Sequence, residues 1–175
     1  MTDPSADVVT HRLNTMSVGD TGDALARCCG SRRWVRAMVT ARPYVDDAGL
    51  FDIAERTWWT LDPDDWIEAF SHHPRIGERE ATRPAHDQER EWSAGEQAGM
   101  DQAGREVHDG MVAGNLEYEE RFGHVFLICA TGRSGDEMLT ALRERLSNDP
   151  AEELKVAAAE QVKITRLRLL RLVET

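Results

Sequence analysis

His124-Val125-Phe126-Leu127-Ile128-Cys129-Ala130 is a continuous apolar run, bracketed by Gly123 and Gly132. Read alone it is a buried strand. No other stretch of the chain alternates with the period of two that a partner strand needs. A lone buried extended segment leaves backbone N–H and C=O groups that side chains, water or a ligand must satisfy. The rest of the chain repeats with a helical period, so the run is the exception inside an all-α fold. The patterns on either side of it give a compact bundle of about eight helices with one extended segment near 124–132.

Upstream, Ser17 caps a helix to about Cys29, with Gly30 as its stop, and Ser31 caps the next, over 32–40. Asp46 or Asp47 opens a third, whose Leu50, Phe51, Ile53, Ala54, Trp58 and Leu61 follow the 3.6 period. Asp62-Pro63-Asp64-Asp65 is a strong helix start: an aspartate cap, proline in first position, acid in the first turn. That helix runs into Ser71-His72-His73-Pro74-Arg75-Ile76-Gly77-Glu78, where Pro74 disfavours helix at His73. Residues 78–91 are nearly all polar and read as a solvated loop or a poorly packed turn. Ser93 and Glu96 fit a capping box opening a short helix to Met100. A longer helix covers 101–118, weakened by Gly104, Gly110 and Gly114. Downstream of the apolar run, Ser134 and Glu137 form a second capping box, and Asp149-Pro150 starts the last helix. Residues 1–12 read as a loose tail, and 13–175 as a single domain.

The chain has 175 residues, 41% hydrophobic and 30% charged, a length and balance that support a buried core without staples. No apolar run approaches a membrane span of ~20 residues, and Met1–Val9 has no secretory pattern. The three cysteines, Cys28, Cys29 and Cys129, are an odd count with one adjacent pair. That is a poor disulfide framework and points to a reducing cytoplasm. A net charge of −11 argues against gripping nucleic acid or an anionic membrane over a broad face. It leaves room for a compact basic pocket that takes a small anion.

Several side chains are suited to chemistry, and each has a simpler structural reading. His72 and His73 point about 100° apart on a helix, and no H-E-x-x-H or C-x-x-C spacing accompanies them, so a shared metal is disfavoured. As a helix-end pair they interact with the dipole; as a general acid or base, a histidine titrates near neutrality. Glu96 serves the capping box, and a first-turn glutamate also binds polar ligands. In the last helix, Arg166 and Arg168 both stand among apolar neighbours, where a guanidinium suits a carboxylate. Periodicity does not settle which of them points inward. Cys129 reads as apolar filling, with no base placed to activate it.

The motifs together resemble the OHCU decarboxylase family, whose members act on 2-oxo-4-hydroxy-4-carboxy-5-ureidoimidazoline. They are His73-Pro74-Arg75-Ile76-Gly77, Trp92-Ser93-Ala94-Gly95-Glu96-Gln97, Arg121-Phe122-Gly123 through Phe126–Ser134, Leu146-Ser147-Asn148-Asp149, and Ile164-Thr165-Arg166-Leu167-Arg168-Leu169. They occur in the family's order over 73–169, with weaker similarity over 34–61. The resemblance implies an all-helical fold, a homodimer, and no metal or organic cofactor. It implies the last of three steps from urate to (S)-allantoin. It implies catalytic roles for His73, Glu96 and Arg168. Substrate contacts would come from Pro74, Ser93, Glu96, Gln97 and Arg168, and from the backbone of Ile128, Cys129, Ala130, Thr131 and Gly132. The extended segment would then be ligand-facing, its unpaired backbone serving the substrate. A non-catalytic helical module that binds a small anion or a partner protein is the competing expectation. A metal hydrolase is a distant third.

Overall fold

A computed structural model describes residues 7–78 and 87–173, with the backbone alone for 87–90. Among the described residues there are ten helices and no strand. Eight correspond to the helical patterns of the sequence. The two additions are α1 and a break that divides the helix expected after Trp92. The chain gathers into two compact units, one within Met1–Ala69 and Val162–Thr175, the other Phe70–Gln161.

In the first unit, α1 (Val8–Thr15) takes in residues 8–12 of the stretch expected to be loose. Val9 and Leu13, four residues apart, are both buried, and the Thr10 amide donates to Asp47 Oδ1 at 2.8 Å. Two apolar residues on one face suffice once a surface exists to cover them, and a pattern that short carries little weight in sequence. Two caps form as expected, and a third settles the choice between Asp46 and Asp47. Ser17 accepts from the Asp20 amide at the start of α2 (Val18–Cys28), and Ser31 from the Trp34 amide at the start of α3 (Arg32–Thr40). Asp46 accepts from the Gly49 amide at the start of α4 (Asp47–Trp59). Gly30 does not stop α2 in a left-handed turn. Cys29 is already extended there, at φ −149°. Trp34 is fully buried and donates its indole N–H to Ala54 O at 3.0 Å. The unit also holds α5 (Pro63–Phe70) up to Ala69 and the C-terminal part of α10 (Pro150–Arg171).

The second unit contains α6 (Asp87–Glu96), α7 (Ala98–Asp101), α8 (Arg105–Phe122), α9 (Gly135–Arg145) and the first part of α10. Its core joins Ile76, Met100, Met111, Tyr118, Phe126, Ile128, Met138 and Leu142. Gly110 and Gly114 lie within α8 for packing. A Cβ on Gly110 would stand 3.0 Å from Leu139 Cδ2, and one on Gly114 2.5 Å from Leu142 Cδ2. Their low helix propensity is offset by the close approach of α9. Gly104 is not interior; it is the N-cap of α8, which runs on to Phe122 and closes at Gly123 with φ +76°. The second capping box is present in full, Ser134 and Glu137 each accepting from the other's amide.

Gly99 meets a harder limit. A Cβ there would stand 2.0 Å from the backbone oxygen of Arg133. A carbonyl held in the turn before α9 cannot swing aside as a leucine methyl can. Gly99→Ala is therefore expected to destabilise the protein by about 1–3 kcal/mol, read as a lower urea midpoint. An unchanged midpoint would mean that the α7 and Arg133 backbones separate without cost.

Candidate active site

The His73–Gly77 turn is built from a helix that cannot continue. His73 donates its amide to Phe70 O at 3.0 Å, closing the last turn, and Pro74 blocks the next one. Gly77 sits at φ +81°, where a side chain is strained. His72 is exposed and His73 is 6% exposed, so the two adjacent histidines are sorted by burial.

Four ties hold this turn within the second unit. His73 Nε2 lies 2.8 Å from Gln161 Oε1. Arg75 makes a two-pronged pair with Glu119, at 2.6 and 2.9 Å. Asn115 Nδ2 donates to Ile76 O at 3.0 Å, and the Gly77 amide donates to Gln97 Oε1 at 2.9 Å. Hydrogen bonds to the Glu119 carboxylate hold the Arg75 guanidinium more firmly protonated than usual. The pair is partly exposed, so it fixes geometry more than it stabilises the fold.

Trp92–Gln97 departs from the sequence reading. Ser93 and Glu96 do not open a helix; they lie in the last turn of α6, which begins at Asp87. The Ser93 carbonyl accepts from the Gln97 amide at 3.1 Å, closing that turn. The polar stretch expected to be loop over 78–91 is thus helical from Asp87, while 79–86 lies outside the described residues. The early start escapes pattern reading because Asp87-Gln88-Glu89-Arg90-Glu91 carries no apolar residue, while Trp92, Ser93 and Glu96 further along are buried. The first turns of the helix lack the apolar face that pattern reading depends on. With the capping role removed, Glu96 is a buried carboxylate at 8% exposure. Pro74, Ser93 and Gln97 line one cleft with Gly77, Met100 and His108, about 870 Å³ counted to its open mouth.

The extended segment over 124–130 is neither strand nor helix, as its isolation requires. Part of its backbone is satisfied by side chains. Leu127 O accepts from Arg145 Nη1 at 2.8 Å, and the Cys129 amide donates to Glu160 Oε2 at 2.7 Å. Cys129 is therefore held by the protein itself at the amide expected to serve a ligand, and its side chain is half-buried. Ile128 and Ala130 are buried, and Thr131 and Gly132 are exposed, with Gly132 at φ +79°.

Behind the segment lies a buried ionic knot. Glu153 is fully buried and accepts from Arg145 Nε at 2.8 Å, Asn148 Nδ2 at 2.8 Å and the Tyr118 hydroxyl. Arg145 also stacks 4.6 Å from the Phe126 ring. Burial first, then the bond to Glu153, pushes the Tyr118 phenol well above its ordinary range. His124 packs against Phe70 and Tyr118, and burial lowers its proton affinity.

Arg168 belongs to the first unit. It is 5% exposed and donates to Arg27 O at 3.3 Å. Arg166 is exposed and stacks 4.3 Å from the Phe51 ring. Of the two arginines that periodicity leaves open, Arg168 is thus the buried one. Burial pushes the nearby Cys29 thiol up to about 12, against the lowering influences of Ser31, Thr165 and Arg168, so it is held as the thiol.

Sequence reasoning missed Gln161, Glu160, Arg145 and Glu153. One signal was available. Glu153, Ala157, Gln161, Ile164 and Arg168 follow one another at three- and four-residue spacing, so polar residues occupy the register that should be apolar.

The fold and these residues define an all-helical protein with a buried histidine at a proline-blocked turn and an extended segment braced by arginine and glutamate. The OHCU decarboxylase family model matches residues 14–170, and the chain belongs to that family. A crystal structure of OHCU decarboxylase in the presence of (S)-allantoin superposes with a TM-score of 0.75 at 33% identity. It covers 87% of this chain and 99% of that one. A structure of (S)-allantoin synthase shares the fold, with a TM-score of 0.69 at 16% identity, over 92% of this chain and 52% of that one. The Arabidopsis thaliana uric acid degradation bifunctional protein TTL is 34% identical over 157 residues, 90% of this chain and 48% of its own length. The Amia calva OHCU decarboxylase is 41% identical over 102 residues, 55% of each. The chain spans about half the length of these two relatives.

Proposed function

We propose that the protein decarboxylates 2-oxo-4-hydroxy-4-carboxy-5-ureidoimidazoline to (S)-allantoin, the last step from urate, without a cofactor. The observation that carries this reading is the family match over 14–170 together with a buried His73 on the pinned turn. Loss of the carboxylate leaves electron density on the carbon that held it. The substrate's own C=N or C=O next to that carbon can hold the density in an enolate-like form. The protein must orient the carboxylate out of the ring plane, stabilise the developing charge with fixed dipoles and protonate one face.

In this reading His73 manages the proton at the reacting centre and Glu96 fixes the hydroxyl or ureido group. Pro74, Ser93, Gln97 and the backbone of 128–132 shape the binding site, with the Cys129 amide engaged by Glu160. Arg168 carries its carboxylate-binding role from the family resemblance, supported by its burial. The reading includes a homodimer in the cytoplasm. No described helix is long and apolar enough to cross a membrane.

The unstable substrate is generated in situ from urate with urate oxidase and hydroxyisourate hydrolase, and circular dichroism follows the product. Adding the protein is expected to make (S)-allantoin appear faster and as one enantiomer. An unchanged rate and racemic product would favour a non-catalytic anion-binding module.

A further inference from the structure

We propose that Gln161 is a positioning residue for His73, holding the imidazole in one ring orientation and one neutral tautomer. This rests on the reading of His73 as the proton-handling group. Gln161 is 0% exposed, and its Oε1 lies 2.8 Å from His73 Nε2. With oxygen facing it, Nε2 carries the proton, and the lone pair of the neutral ring is placed on Nδ1.

The backbone around His73 leaves this task to a distant side chain. Pro74 and the His73–Phe70 bond fix where the Cα–Cβ bond starts. They do not choose between the two faces of the ring. A half-turn about the second side-chain torsion exchanges Nε2 with a carbon, and only a polar partner makes one state better. Gln161 lies 88 residues away in sequence, on α10, beside Glu160, whose carboxylate holds the Cys129 amide. Two consecutive residues of one helix thus set the histidine ring and the extended segment. A buried glutamine that left its oxygen unbonded would cost about 1–3 kcal/mol, so the bond is kept whether or not substrate is present.

The test reads the ring directly and the turnover separately. Long-range ¹H–¹⁵N spectra of ¹⁵N-histidine-labelled protein identify the His73 signals by their loss in His73→Gln. The wild type is expected to show His73 as the Nε2–H tautomer alone. Gln161→Leu, similar in size but without an acceptor, is expected to give mixed tautomers. It should also lower kcat by roughly tenfold, a hydrogen bond's worth of orientation, with KM within about twofold of wild type. Gln161→Glu offers an oxygen at the same reach and is expected to restore the single tautomer. Where glutamate is not tolerated at 161, the Gln161→Leu spectrum decides by itself. A single Nε2–H tautomer in Gln161→Leu, or an Nδ1–H tautomer in the wild type, would overturn the proposal. Mixed tautomers with unchanged kcat would leave Gln161 as the ring's anchor and sink the catalytic reading of His73 instead.

Discussion

His73→Gln is expected to lower the rate of (S)-allantoin formation by about 10²–10⁴-fold while leaving helical content unchanged. The magnitude is that of losing a positioned proton carrier. Glutamine keeps a polar, hydrogen-bonding group in a buried place, so the partner at Gln161 is not stranded among apolar atoms. The matched control is His72→Gln. His72 is exposed one residue earlier, and its loss is expected to leave the rate within about twofold of wild type, as a surface change should. Near-normal turnover in a well-folded His73→Gln protein would remove the histidine from the chemistry.

The second large effect is on stability. Glu153→Leu is expected to cost about 3–5 kcal/mol, measured by urea denaturation. Leucine removes the carboxylate bonded to Arg145, which is 9% exposed, and also takes the acceptor from Asn148 and Tyr118. The cost arises from the buried charge left behind. The double variant Arg145→Met/Glu153→Leu should therefore recover a large part of it, because no ion remains to be desolvated. It should not recover the hold on the extended segment, since Arg145 also donates to Leu127 O. Stability returning while turnover stays low would separate the two jobs of the knot. If Glu153→Leu is as stable as wild type, Arg145 has reached water and the knot is not a buried ion pair in solution.

The motifs that carry the family resemblance gain physical reasons from these contacts. Arg75 is there for Glu119, Asn148 for Glu153, and Arg121 for the Asn148 carbonyl. None of them was legible as a pair, because the partners lie from 5 to 44 residues apart and nothing local links them. Glu96 shows the opposite failure. Its spacing from Ser93 fits a capping box, but the helix already existed, and the same two residues close its last turn. A capping box is a statement about where a helix begins, and an upstream helix start, once present, takes it over.

Amino-acid order alone specified the all-α class, the caps at Ser17, Ser31 and Ser134, and the isolation of the apolar run over 124–130. These follow from hydrogen bonds within a few residues and from hydrophobic period, which are local properties. It also marked Pro74 as the point where a helix must stop. Tertiary structure alone decided which histidine is buried, which arginine is buried, and who satisfies the lone extended segment. Each of those depends on what packs against a side chain from far along the chain. Arg145 and Glu160 reach the segment from helices that follow it, and Gln161 reaches His73 across 88 residues. Burial turns such partners into necessities, since an unpaired polar group away from water costs more than the chain's local preferences can supply.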